Sequence, residues 1–288
     1  MRFVSYLRDG AVRHGRLGEA GEGDEIAELG DGDLHALVQR GLSTADGAEP
    51  VARVPLAGVT LLAPLTRPGK LLAAAANYQD HVTETGGAPL DKSRLSPRLF
   101  LKPPTSIVGP GAVIPLPDVS REIDWEAELA VVIGRPARNV AVAGALDHVA
   151  GYMASNDVSA RSMDYGFERD TDDKAVWFFD WLAGKWCDGF APLGPWLLSA
   201  AAAGDPQAIP VRLDVNGVTK QRGSTKDMIF TVAELVAHAS RLMTLEPGDV
   251  ILTGTPSGVG AATGEYLKAG DEMTVDLGPL GILRNTVA

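Results

Sequence analysis

Four groups of residues in the chain have the types and spacing to do chemistry. The first is Glu126-Ala127-Glu128. On a strand, side chains two apart project to the same side, so both carboxylates share a face, and the apolar run LAVVIG that follows suggests burial. Two buried like charges repel unless a cation lies between them. An all-oxygen ligand set favours a hard cation: Mg2+, or Mn2+ or Ca2+. Taken alone, the pair reads more simply as two solvated glutamates at an exposed strand end. The second group is Asn156-Asp157, at the end of another expected strand. Asp157 could add a third carboxylate oxygen, or it could cap a helix starting over Ser159 to Met163. Arg161 suits a substrate carboxylate gripped through two nitrogens, although a surface ion pair is the commoner fate of an arginine.

The third group is Asn77-Tyr78-Gln79-Asp80-His81, with Glu84 three residues on. On a helix His81 and Glu84 share a face. A carboxylate beside an imidazole orients the ring and raises its basicity, as needed to activate water; on an exposed helix the same spacing is an ordinary surface pair. The fourth is Gly184-Lys185-Trp186-Cys187-Asp188. A lysine in this apolar setting could balance charge near a metal or stabilise an enolate. Alternatively its stem lies over the tryptophans with the amine in water.

Positioning these groups calls for a strand-rich α+β scaffold. Phe3, Ser5 and Leu7 fall on one strand face, and Asp9-Gly10 signals a hairpin. A short helix is expected over Asp33 to Arg40. A boundary near residue 65 separates a small N-terminal domain, 1–65, from the main domain, 66–288. Strands are expected over Arg98 to Leu101, Glu126 to Ile133, Gly151 to Asn156 and Asp249 to Thr253. Two hairpins are expected: Val211 to Val215 with Val218 to Gln221 around Asn216-Gly217, and Glu272 to Leu277 with Ile282 to Val287. A helix is expected over Val140 to Val149. Another is capped by Thr231 and Glu234, carries Leu235, Val236, Ala239, Leu242 and Met243 at helical spacing, and stops at Pro247-Gly248. No internal repeat is found.

Composition narrows the function. With 288 residues and 45% hydrophobic content, the chain can bury a sizeable core. A formal net charge of -11 argues against nucleic acid and anionic membrane partners. The single cysteine, Cys187, cannot form an intrachain disulfide. Leu71 to Ala76 is too short to span a bilayer, and the N-terminus lacks the apolar core of a signal peptide. A soluble, cytoplasmic protein is expected.

In order along the chain, NYQDHVTE at 77–84, FLKPPTS at 100–106, DWEAELAVVIG at 124–134, GYMASNDVSAR at 151–161, GK at 184–185 and MTLEPGDVILTGTPSGVG at 243–260 resemble the fumarylacetoacetate hydrolase family, in its acylpyruvase and 2-hydroxyhepta-2,4-diene-1,7-dioate isomerase-like branch. The resemblance covers the chain from about residue 70 to its end. It implies mixed β-sheets rolled around a metal site, a homodimer, and Mg2+ held by Glu126, Glu128 and Asp157. It implies a catalytic His81 oriented by Glu84, an active-site Lys185, and substrate contacts from Arg161 and Thr255. Tyr78 and Lys102 lie inside family motifs and are expected on the substrate side. Asp164 stands where the family often has glutamine, so it is expected to disfavour a second substrate carboxylate or to favour a hydroxylated substrate. The segment 164–181 falls where the family places a substrate-contacting loop. The implied reaction is hydrolysis of a carbon–carbon bond in an acylpyruvate or related β-diketo acid through a metal-held enolate. Oxaloacetate decarboxylation and isomerisation or hydration of an unsaturated keto acid are the alternatives at the same site, and a non-catalytic metabolite-binding protein is the reading from another class.

Overall fold

A computed structural model describes residues 1–18 and 25–288. The run AELAVVI forms the strand Ala127–Ile133, all seven residues of which are buried. It lies inside a 12-stranded sheet, antiparallel to Val149–Asn156 on one side and to Val250–Leu252 on the other. Beyond Val250–Leu252 come Leu71–Ala75, parallel to it, and Arg98–Leu101. Beyond Val149–Asn156 come Ala191–Ser199 and then the N-terminal strands Arg2–Arg8, Ala11–Leu17, Glu25–Asp31 and Ala52–Pro55. A second, five-stranded sheet is built from Val218–Ser224, Pro210–Val215, Glu272–Asp276, Ile282–Val287 and Val113–Ile114.

The two-residue period of the central strand feeds two cores. Leu129, Val131 and Ile133 pack with Val211, Leu213, Val275 and Leu283 of the second sheet. Ala130 and Val132 pack on the other side, with Leu65, Leu71, Val250 and Leu252. Glu126 and Glu128 have the parity of Ala130 and Val132, so the carboxylates stand where the second core gives way to a cavity.

The turn signals are realised. Asp9 and Gly10, and Asn216 and Gly217, all have positive φ, the twist that two-residue hairpins need. Helix Val232–Leu242 carries the full Thr231–Glu234 capping box, and His35–Arg40 is helical. Two helical expectations are corrected. Val142–His148 is a 3-10 helix. Ser159–Ala160 is a short strand paired with Ile123–Asp124. There the backbone donors are claimed from outside the segment: Ala160 N–H donates to Gly184 O at 2.9 Å and Arg161 N–H to Glu122 O at 2.8 Å, so no helical ladder starts. Conversely, Lys174–Ala183, within the expected loop, is a helix whose first turn is capped by Asp173. Among the described residues no helix is long and apolar enough to cross a membrane.

Candidate active site

The strand register assembles three carboxylates. Ala127 lies opposite Asn156 and Glu128 opposite Ser155. Just past the ladder, Asp157 N–H donates to Glu126 O at 2.8 Å, and Glu126 N–H donates to the Asn156 side chain at 2.8 Å. Carboxylate oxygens of Glu126, Glu128 and Asp157 lie within 4.8 Å of one another, and all three residues are buried. The exposed strand end is therefore excluded.

Cations surround the cluster unevenly. Lys185 Nζ bonds Glu126 Oε2 at 2.9 Å and Asp157 Oδ2 at 2.8 Å. Lys102 pairs with Asp157 from the other side. Arg161 spans Asp124 at 2.7 Å and Glu126 at 2.6 Å. Four carboxylates thus face three cations, and among the described residues Glu128 has none of its own; it accepts only the Gly254 N–H, at 2.7 Å. Burial, and then the charges of Asp157 and Glu126, push the Glu128 carboxyl well above the usual range. Burial alone would raise Glu126 too, but Lys185 and Arg161 outweigh it and hold the group low. Lys185 is likewise held charged by Asp157 and Glu126 against its own burial. A buried, all-oxygen set with one uncompensated carboxylate fits a hard divalent cation.

The second element is the short helix Gln79–Glu84. His81 Nδ1 donates to Glu84 Oε1 at 2.9 Å, and Glu84 Oε2 accepts the Gly258 N–H at 2.7 Å. With Nδ1 carrying the proton, Nε2 is the basic nitrogen. Asn77 pins the approach to the helix: its amide donates to Phe230 O at 2.9 Å and Thr253 O at 2.8 Å and accepts from Phe230 N–H at 2.8 Å. Gly258 has a φ of +104°, and a Cβ there would sit 2.1 Å from Lys220 O. Gly258→Ala must therefore move the amide that holds Glu84, and we expect about a tenfold fall in kcat from misplacement of the pair. Unchanged kcat in a folded Gly258→Ala protein would show that this amide does not position Glu84.

His81, the three carboxylates, Arg161 and Lys185 open on one cavity of about 940 Å3, with Phe100, Trp177, Phe178 and Trp181 forming an aromatic wall. The aromatic part of 164–181 thus meets the site, whereas Asp164 does not. Asp164 is exposed, and its carboxylate caps a turn at Gly166 N–H, 2.8 Å away. Tyr78 is also corrected: it is fully buried in the core. Burial first, then the charge of Glu128, raises its phenol. Lys102 is buried behind the cluster as a counter-charge to Asp157, away from the cavity lining. Thr255 does line the cavity, but its hydroxyl donates to Ala127 O at 2.8 Å and accepts from Gln221 at 2.8 Å. Its backbone is what remains to meet a substrate. Arg161 is in place with two of its nitrogens already committed to carboxylates.

Two residues of the site were not anticipated. Gln221, fully buried, ties Thr255 and Pro256 O to the Ala127 N–H. Asp124 anchors Arg161 while accepting the Gly260 and Ala261 N–H groups. A glutamine ending an expected strand gives no local signal of such a role; Asp124 was visible only as part of a longer motif.

A buried carboxylate cluster and a His–Glu pair sharing one cavity define an enzyme site. Residues 70–288 match the family model described as fumarylacetoacetate (FAA) hydrolase, C-terminal. The chain is 39% identical over 265 residues to the mitochondrial oxaloacetate tautomerase of Xenopus laevis, covering 91% of this chain and 77% of that protein. It is 38% identical over 297 aligned positions to the 2,4-didehydro-3-deoxy-L-rhamnonate hydrolase of Sphingomonas sp. strain SKA58, covering 100% and 96%. The solved structure of a fumarylacetoacetate hydrolase from psychrophilic Exiguobacterium antarcticum matches with a TM-score of 0.80 at 34% identity, over 100% and 99% of the two chains. The chain belongs to the fumarylacetoacetate hydrolase family, and it is an enzyme of that family.

Proposed function

We propose that the chain is a Mg2+-dependent hydrolase that cleaves a carbon–carbon bond in an acylpyruvate or related β-diketo acid. The observation that carries this reading is the His81–Glu84 pair opening on the same cavity as the uncompensated Glu128. A divalent cation bound by Glu126, Glu128 and Asp157 supplies Lewis acidity toward the oxygens of a 2-oxo acid. His81 accepts a proton at Nε2 from a water beside the distal carbonyl, and Glu84 stabilises the resulting imidazolium through Nδ1. The hydroxide adds to that carbonyl, the carbon–carbon bond breaks, and the electron pair leaves on a pyruvate-like enolate. Lys185 places a buried positive charge where that negative charge develops. Proton return to the enolate carbon completes pyruvate and leaves the acyl part as a carboxylic acid.

A second reading moves a proton without adding water. Keto–enol tautomerisation of a small 2-oxo diacid needs the same base and the same counter-charge, and similarity to the Xenopus oxaloacetate tautomerase favours it. Acetylpyruvate and enol-oxaloacetate, each followed by ultraviolet absorbance with Mg2+ and then with EDTA, separate the two. Loss of the diketo absorbance that EDTA abolishes supports hydrolysis, and turnover confined to enol-oxaloacetate supports tautomerisation. Acetylpyruvate cleavage that survives EDTA overturns the metal-dependent hydrolase.

A further inference from the structure

Every cation beside the carboxylate cluster is committed to the protein: Lys185 to Glu126 and Asp157, Lys102 to Asp157, and Arg161 to Asp124 and Glu126. The same cavity is lined by one further guanidinium, that of Arg98, which has no carboxylate partner among the described residues. We propose that Arg98 is a specificity-determining residue that receives a second carboxylate at the far end of the substrate. The proposal rests on the function given above and names the substrate class within it, a 2-oxo acid whose acyl tail ends in an anion.

The placement follows from strand geometry. Arg98 opens the strand Arg98–Leu101 and faces Ala75 across the ladder, while Phe100 faces Ala73. Residues two apart on a strand project to one side, and Arg98 and Phe100 both border the cavity, together with Leu99 between them. The Phe100 ring centre lies 5.5 Å from Lys185 Nζ, and Lys185 touches two carboxylates of the cluster. Outward from the metal-binding end the order is therefore Lys185, Phe100 and, one strand period of about 7 Å further on, Arg98. Ala74, Ala75 and Ala76 line the cavity as well, and their methyl groups leave this path open. The acid on the aromatic wall, Asp180, is paired with Arg169 and does not oppose an arriving anion. A substrate with its 2-oxo acid head at the cluster lays its tail along Phe100 and Trp181 and ends at Arg98. Arg98 itself is exposed, at the end of this path where the cavity meets solvent.

The test compares 2,4-dioxoheptanedioate with the same molecule carrying a primary amide in place of the terminal carboxylate, both with Mg2+. The wild-type enzyme is expected to prefer the dioate by about tenfold in kcat/KM, the worth of one charge-assisted pair. In Arg98→Gln that ratio falls to near one through a raised KM for the dioate, and Arg98→Lys keeps part of it. Calorimetric binding of both probes to His81→Ala protein, with and without Arg98→Gln, gives the same comparison without turnover. Discrimination in binding with no hydrolysis by the wild type overturns the hydrolase and keeps Arg98 as the receptor. Equal affinity for the two probes in the presence of Arg98, or equal losses on both in Arg98→Gln, overturns the assignment of Arg98.

Discussion

Glu128→Gln is expected to weaken Mg2+ binding and turnover by at least about a hundredfold, yet to make the metal-free protein melt at a higher temperature than the parent. Both effects come from the same imbalance. Glu128 is buried on the central strand beside Asp157 and Glu126, its only partner among the described residues is the Gly254 N–H, and its carboxyl is pushed well above the usual range. A group whose folded-state pKa is raised contributes stability below its unfolded pKa, and that contribution is lost as the pH rises through the folded value. The ionised carboxylate is therefore a growing burden on the metal-free fold as the solution becomes more alkaline, and a divalent cation relieves it. Glutamine keeps an oxygen for the Gly254 N–H and removes the charge. Melting curves in EDTA, taken in mildly acidic and mildly alkaline buffer, should show the variant's advantage widening with pH, and Mg2+ should raise the melting temperature of the parent alone. A variant that melts below the metal-free parent at every pH would show that the carboxylate is compensated without metal.

His81→Ala is expected to lower kcat by about a hundred- to ten-thousandfold, the usual range for a lost general base. Calorimetric titration with Mg2+ should be nearly unchanged, because the imidazole bonds Glu84 rather than the triad oxygens. Glu84→Gln is expected to follow in the same direction. An amide nitrogen turned toward His81 would favour the other tautomer, and the Gly258 N–H would lose its charged acceptor. Wild-type turnover in His81→Ala would end the base assignment, whereas loss of Mg2+ binding together with activity would show that the helix Gln79–Glu84 helps to hold the cluster.

The parts of the site legible in the sequence depend on one local period. Glu126 and Glu128 share a face because strand side chains alternate, and His81 meets Glu84 because helical residues three apart are neighbours. The hairpins at Asp9-Gly10 and Asn216-Gly217 were legible because positive φ selects the residue types. What stayed hidden depends on which segments meet. Lys102 and Lys185 are both lysines in apolar surroundings, and nothing nearby in sequence says that one faces the cavity while the other lies behind Asp157. Tyr78 sits in the same motif as His81 and Glu84, yet the backbone turns its ring into the core. Ser159–Ala160 became a strand because Ile123–Asp124 and Gly184 arrive from elsewhere to take its hydrogen bonds. Arg98 carried no signal as the start of an ordinary strand and acquired one only when that strand proved to border the cavity.

The N-terminal strands also cover part of a sheet edge. Ala191–Ser199 pairs through Leu197 and Leu198 with Phe3 and Arg2, and through Ala191 and Pro192 with Ile107 and Val108. Most of this strand is buried. If the first strand came away, the Leu197–Leu198 end would become a bare apolar sheet edge, the kind of template on which chains add to one another. Pro192 and Pro195 in the same strand lack the N–H groups such growth requires. The two prolines therefore act as gatekeepers at one end of the strand, and Arg2–Arg8 covers the other.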